Sequence, residues 1–195
     1  MRPARCGLLS LLLLALVSAP AAASQWGLGS NLGMSIIYPS GGNAETAVAW
    51  SGHPTYFIPG LRLSVRTDDA RQSYFLDTGF ATISRETLGQ SSFQGTLNAQ
   101  YAFGGKKGSV PFVQAGAGVA SRWVRDLGPG GQSVNPISWV IGGAVGLQRN
   151  VAKGAGTIRA ELRYDFVTEG EDLGIILIPE SSVVGLRLGF DLWLP

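Results

Sequence analysis

The sequence predicts an all-β protein, a closed, up-and-down antiparallel transmembrane β-barrel of about eight strands. Three observations lead to this prediction. Segments of about ten residues or more alternate apolar and polar side chains, which is the period of a β-strand. Clusters of Gly, Ser, Asn, Asp and Pro separate these segments, as turns do. The chain also begins with the pattern of an export signal.

Residues 1–23 have the three-part layout of a secretory signal peptide. Arg2 and Arg5 form a basic start, residues 8–17 form an apolar run, and three alanines end the segment where cleavage is expected. The apolar run is shorter than the roughly 20 residues that a membrane-spanning helix needs. The expected mature domain is therefore residues 24–195.

Charge and cysteine content exclude several classes of function. The chain has 15 basic and 13 acidic side chains, and removal of the signal peptide takes away two arginines, which leaves 13 of each. A mature chain with no formal net charge gives no basis for nucleic-acid binding. Cys6, the single cysteine, leaves with the signal peptide, so neither a disulfide nor a thiolate metal site is expected.

The first four predicted strands are residues 26–38, 57–66, 73–85 and 93–103. Their apolar faces include, in that order, Trp26, Leu63, Leu76 and Leu97. Their opposite faces include Gly27, Arg62, Asp77 and Asn98. Pro59 cannot donate a hydrogen bond to a β-ladder, so the second strand is expected to start near Gly60 or to carry a bulge there.

The last four predicted strands are residues 111–123, 137–148, 158–166 and 184–194. Their apolar faces include Val113, Ile141, Leu162 and Leu188, and their opposite faces include Gln114, Gly142, Arg163 and Arg187. No charged residue falls on the apolar face of any of the eight segments. This pattern suits a lipid-facing surface, because Lys or Arg at the bilayer midplane costs roughly 2–4 kcal/mol.

Strand length, small residues, aromatic positions and loop lengths indicate that the apolar face points outward. The segments exceed the usual 5–6 residues of soluble strands, and small side chains on the polar face suit the narrow interior of a small barrel. Aromatic residues near segment ends predict girdles at the two membrane interfaces: Trp26, Tyr38, Phe93, Phe103, Trp139 and Phe166. Long connections at 39–56, 126–136 and 168–181 alternate with short ones at 67–72, 104–110 and 150–155, as extracellular loops alternate with periplasmic turns. The connection at 86–91 is the one outer loop that is not clearly long.

The charged face then lines the lumen, where charges must pair or stay wet. We predict a salt-bridged plug made of ten residues: Arg62, Arg66, Asp77, Arg122, Arg159, Glu161, Arg163, Asp165, Arg187 and Asp191. A selective pore is the alternative, but barrels near this size are filled by side chains.

In pattern and length, residues 24–195 resemble the eight-stranded outer-membrane β-barrel family, which includes the OmpA transmembrane domain, OmpX and the opacity-type surface proteins. The resemblance implies a place in the outer membrane of a Gram-negative-type bacterium, in contact with lipid and lipopolysaccharide. It also implies recognition by the outer-membrane insertion machinery through a last strand that ends in an aromatic residue. This chain departs from that pattern, because it ends Leu194-Pro195 and Trp193 lies on the opposite phase.

The function expected from these features is non-enzymatic: a structural or surface-interaction role, with specificity in the loops 39–56, 126–136 and 168–181. Alternatives are a narrow channel for small solutes, a lipid A-modifying enzyme using His53 with Ser51 and Glu45, and a soluble periplasmic barrel that binds an apolar ligand. No catalytic, cofactor-binding or metal-binding residue is predicted. An acidic group in the last loop, Glu169, Glu171 and Asp172, lacks the spacing of an EF-hand calcium loop.

Overall fold

The structure is a computed structural model that describes residues 23–39, 60–84, 88–104, 108–126, 133–134, 137–168, 170–172, 175–178 and 180–194. In chain order its strands are β1 Ala23–Pro39, β2 Gly60–Thr67, β3 Gln72–Ser84, β4 Leu88–Ala102, β5 Ser109–Asp126, β6 Ser133–Val134, β7 Ile137–Val151, β8 Gly156–Val167, β9 Gly170–Asp172, β10 Ile175–Ile178 and β11 Ser181–Leu194. In these residues, no helix has the length and apolar character needed to cross a membrane.

Eight of these strands form the wall of a closed antiparallel barrel, and β6, β9 and β10 lie outside this set. Each wall strand pairs with its neighbour in the order β1, β2, β3, β4, β5, β7, β8 and β11. The last strand then pairs with the first, from Trp26 opposite Leu194 to Pro39 opposite Ser181. Closure removes the unpaired strand edges that an open sheet leaves exposed. The predicted fold class is confirmed.

Short turns join strands at one end of the barrel, as the sequence predicts. In the β2–β3 turn, the Ala70 amide donates to the Thr67 carbonyl at 2.9 Å, and Ala70 adopts a φ of 58°. The Thr67 hydroxyl and the Arg71 amide donate to Asp69 at 2.6 and 3.0 Å. These two hydrogen bonds, the hydroxyl's first, hold the pKa of Asp69 below its ordinary value. A 3-10 turn at Ala152–Gly154 joins β7 to β8 at the same end.

The connections at the other end differ in detail from the sequence prediction. β3 runs to Ser84 and β4 starts at Leu88, so the connection expected at 86–91 is only residues 85–87. Residues 88–92 resemble a turn in composition, yet all five pair with β5, and residues 89–92 also pair with β3. β6 lies in the connection 126–136, and β9 and β10 form a hairpin within 168–181. β2 begins at Gly60, where Pro59 predicts its start.

The distribution of apolar and charged side chains between the inside and the outside of this barrel is the reverse of that in a soluble barrel. Large apolar side chains on the wall expose about half of their surface to the outside, for example Leu63 at 50%, Leu162 at 53% and Leu188 at 59%. Charged side chains fill the interior, and Arg62 and Asp191 are both 0% exposed. The alternative of a soluble barrel with an apolar interior is therefore wrong.

The six predicted girdle residues form two groups. Trp26 and Phe103 lie near the short-turn end of the wall, whereas Tyr38, Phe93, Trp139 and Phe166 lie towards the opposite strand ends. Five of the six are exposed, and Phe166 is half-buried. Two aromatic bands at opposite ends are the arrangement expected of membrane interfaces.

Candidate functional site: the charged lumen

Nine of the ten predicted lumen residues point into the barrel. They are each 6% exposed or less: Arg62, Arg66, Asp77, Arg159, Glu161, Arg163, Asp165, Arg187 and Asp191. The tenth, Arg122, belongs to β5, but its side chain is outside the described residues. Four of these charged residues belong to β8, where they occupy every second position. Because successive side chains in a strand point to opposite faces, one phase places them all inside.

Arg62 and Asp77 form the best-defined ion pair of the lumen. The Arg62 Nε and Nη2 atoms donate to the two Asp77 carboxylate oxygens at 2.5 and 2.7 Å. Asn31 Nδ2 donates to the same carboxylate at 3.1 Å. The guanidinium also lies 3.7 Å from the centre of the Phe75 ring. A bidentate, stacked arginine of this kind is held in one orientation, which is the arrangement expected of a plug.

A second ion pair joins the last two strands of the wall. Arg159 donates to Asp191, whose other carboxylate oxygen accepts from the Ser64 hydroxyl at 3.4 Å. Neighbouring glycines provide the space for both partners. A Cβ atom at Gly29 would overlap the Asp191 carboxylate, and one at Gly189 would overlap the Arg159 guanidinium.

Asp165 is shared by two arginines. Arg163 Nε donates to both of its oxygens at 2.8 and 2.7 Å, and Arg187 Nη2 lies 3.5 Å from one of them. Arg163 Nη1 also reaches across the lumen to Asn98 Oδ1 at 3.2 Å. Here too a glycine makes the room, because a Cβ atom at Gly142 would overlap the Asp165 carboxylate. The described charges thus form a network that crosses the barrel.

Glu161 is the least constrained acid of the network. Its nearest cation is Arg62, with Nη2 3.9 Å from Oε2. Among the described residues, no donor reaches either of its carboxylate oxygens within hydrogen-bond distance. Within the same described residues, Arg62, Arg159, Arg163 and Arg187 also keep guanidinium nitrogens without a hydrogen bond.

Arg66 closes the short-turn end of the lumen. Its three nitrogens donate to Gln25 Oε1 at 2.8 Å, Asn150 Oδ1 at 3.2 Å and the Gly154 carbonyl at 2.8 Å. Its guanidinium also stacks 4.0 Å from the Trp193 ring. These partners belong to β1, β7, the β7–β8 turn and β11, so one side chain ties four parts of the wall together.

Trp193 points into the barrel, consistent with its position opposite the apolar phase of β11. Its indole nitrogen donates to Thr157 Oγ1 at 2.7 Å, and its amide donates to the Ala155 carbonyl at 2.9 Å. A Cβ atom at Gly27 would lie 2.6 Å from the Trp193 ring, so that glycine leaves space for the indole. The alternation along β11 predicts the direction of this side chain, but it does not reveal the contact with Arg66.

Two apolar clusters accompany the charges inside the barrel. Ala102, Val110 and Phe112 pack together at strand ends near the short turns. Ala120, Val140 and Val167 pack with Val183 towards the opposite end. The charged network is therefore flanked by side-chain packing on both sides, as expected of a small filled barrel.

Polar residues of the same inward face, for which the sequence analysis predicted no contact, complete the lumen. Gln114 Nε2 donates to Asn98 Oδ1 at 3.4 Å, and Gln100 Nε2 donates to Gln148 Oε1 at 2.7 Å. These residues lie on the same alternating phase as the charges, which was the available signal. Which of them touch depends on how far each strand is shifted along its neighbour.

The candidate enzyme and calcium residues are not placed by the structure. His53, Ser51 and Glu45 lie outside the described residues, as do Glu169 and the side chains of the two other loop acids. Across the described ranges, no three His, Cys, Asp or Glu side chains gather as a metal ion would require. The predicted absence of a catalytic, cofactor or metal site stays a prediction.

An eight-stranded barrel with an apolar outer wall and a filled, charged interior has the outer-membrane β-barrel fold. Solved structures of this class superpose on the chain. Neisserial surface protein A matches with a TM-score of 0.67 at 16% identity, over 87% of this chain and 97% of that one. The attachment invasion locus protein Ail of Yersinia pestis matches with a TM-score of 0.53 at 11% identity, over 88% and 99%. A major outer membrane protein of Thermus thermophilus matches with a TM-score of 0.53 at 12% identity, over 87% and 99%.

At these identities the likeness concerns the fold. No protein-family model matches the sequence, and no curated protein is similar to it at the sequence level.

Proposed function

We propose that this protein resides in the outer membrane of a Gram-negative-type bacterium and has a structural or surface-interaction role without enzymatic activity. The observation that carries the proposal is the distribution of charge. Four ion-paired arginines and their acidic partners lie inside, while many large apolar side chains are exposed on the outer wall. Such a wall is stable in lipid and unstable in water.

The surface-interaction part of the proposal rests on the loops and on the names of similar structures. A lumen filled by paired charges offers little room for a substrate, which leaves the connections 39–56, 126–136 and 168–181 to carry any specificity. Two of the similar structures are, by name, a surface protein and an attachment protein. Lipid and lipopolysaccharide are the expected surroundings of the wall.

The experiment that tests the proposal is heat-modifiability of the full chain expressed with its signal peptide. We expect the protein in the outer-membrane fraction, with a shift in SDS-gel mobility between unboiled and boiled samples. A soluble periplasmic protein without a shift would contradict the membrane placement.

Planar-bilayer recording tests the plug, because a lumen crossed by ion pairs should pass little or no current. Steady conductance would favour the channel alternative. Lipid A modification that is lost on His53→Ala would favour the enzyme alternative.

A further inference from the structure

The lipid-facing wall has a concavity near its short-turn end. It has a volume of about 400 Å³, and its lining includes Gln72, Tyr74, Ala99, Tyr101, Val113 and Ala115. Ala99 and Ala115 pair directly across β4 and β5, so two methyl groups form the floor. Tyr74 of β3 pairs with Ala99, and Tyr101 pairs with Val113 at a position nearer to the short turns.

The concavity is a local feature of the wall. Gly143 pairs with Ala115 and extends the low floor onto β7. On the opposite side of the barrel, the paired strands β1 and β11 present bulky outward residues, among them Leu32, Met34, Leu186 and Leu188. A bound group can therefore approach the backbone more closely at Ala99 and Ala115 than it can there.

The concavity opens at the level of a membrane interface. Gln72 is the first residue of β3, and Tyr101 is the second-last residue of β4. From that strand end to Ala99 is three residues, roughly 10 Å along the strand. The space thus begins beside an aromatic ring at the interface and reaches into the hydrocarbon region.

A cation stands beside this opening. Arg71 precedes Gln72, and its carbonyl accepts from the Ala102 amide at 2.8 Å, which fixes it next to the end of β4. Its side chain is 55% exposed, and its ion pair with Asp69 is long, at 3.7 Å. An exposed pair of this length contributes little, so the guanidinium is available to an anionic headgroup.

The size of the concavity argues against a protein occupant. Two strand spacings across and three residues along give a footprint on the order of 100 Å². A stable protein interface buries about 800 Å² on each partner. One phospholipid would fit these features, because an acyl chain can lie in the apolar concavity beside the aromatic ring and the phosphate can reach the cation at headgroup level.

We infer that this concavity binds a phospholipid of the periplasmic leaflet, with one acyl chain over Ala99 and Ala115 and the phosphate at Arg71. The inference rests on the proposed membrane placement, which assigns the short turns to the periplasm. It predicts that one position on the wall retains a particular phospholipid, whereas the rest of the wall contacts bulk lipid.

The test is native mass spectrometry of the full chain in mild detergent, titrated with dioleoyl phosphatidylglycerol. We expect one retained lipid per wild-type barrel. Ala115→Phe fills the slot and should abolish retention, whereas Arg71→Gln should weaken it about five-fold. The matched control is Ala160→Phe, the same change at an exposed alanine of β8 that lies outside the concavity.

Heat-modifiability of each sample separates the two levels of failure. If wild type shows no shift, the proposed function fails and this inference fails with it. If the shift is normal but Ala115→Phe retains lipid as well as Ala160→Phe does, only the inference is overturned. If Ala115→Phe does not fold, Ala99→Leu replaces it in the test. The leucine side chain would partly fill the same concavity, and loss of lipid retention is again the expected result.

Discussion

Replacing Asp77 by alanine should destabilise the barrel by about 3–5 kcal/mol, the usual cost of leaving a buried charge without its partner. Arg62, which is 0% exposed, loses both of its short hydrogen bonds, and Asn31 loses one. The nearest remaining carboxylate is Glu161 at 3.9 Å, too distant for a hydrogen bond. Arg62 should therefore not recover the lost stability by pairing with Glu161 instead.

The assay is urea unfolding of the protein refolded into lipid vesicles, with linear extrapolation to zero denaturant. Asp68→Ala is the control, because Asp68 is an exposed acid of the β2–β3 turn. The double variant Arg62→Met with Asp77→Leu should recover most of the loss, since apolar residues of similar volume often replace a buried pair at no cost. An Asp77→Ala midpoint and slope equal to those of wild type would refute the reasoning.

Three further outcomes can be checked by the same unfolding assay. Gly142→Ala should cost about 1–3 kcal/mol because the new Cβ atom overlaps a carboxylate, whereas Gly95→Ala, whose nearest neighbour would lie at 4.0 Å, should be tolerated. Equal costs would show that the lumen can rearrange around the added methyl group. Leu63→Arg should cost roughly 2–4 kcal/mol on the lipid face, and Leu194→Arg, at the end of β11, about 0–1 kcal/mol. A lowered pKa in the folded state means that Asp69 stabilises above its unfolded value of 3.8, and that this contribution disappears as the pH falls through the folded value. Asp69→Asn should therefore show a shallower loss of stability in that acidic range, and an unchanged slope would contradict the assignment.

The alternation of side chains was enough to predict a barrel and most of its strands, because a one-residue slip would move every side chain of a strand to the other face. The direction of the apolar face was predicted from strand length, small residues, aromatic positions and loop lengths. Strand ends were predicted less well, and β4 is the clearest case. Its first five residues are small or polar apart from Leu88, and they form a strand through their pairing with β5 and, from Gly89 onward, with β3.

The lumen shows where sequence reasoning stops. That Arg62, Asp77 and Glu161 lie on the polar faces of their strands follows from the alternation alone. That Arg62 binds Asp77 at 2.5 Å and lies 3.9 Å from Glu161 depends on strand stagger and on side-chain rotamers. These are properties of the closed barrel, and no local pattern contains them.

The fitting of glycines against charged side chains has an evolutionary consequence. Gly29 faces Asp191 and Gly142 faces Asp165, so an enlargement on one strand requires a reduction on the next. Interior positions should then change together, and each joint change must keep both the shared volume and the partner of the buried arginine. Homologues of this chain should accordingly show covariation between paired interior positions of neighbouring strands.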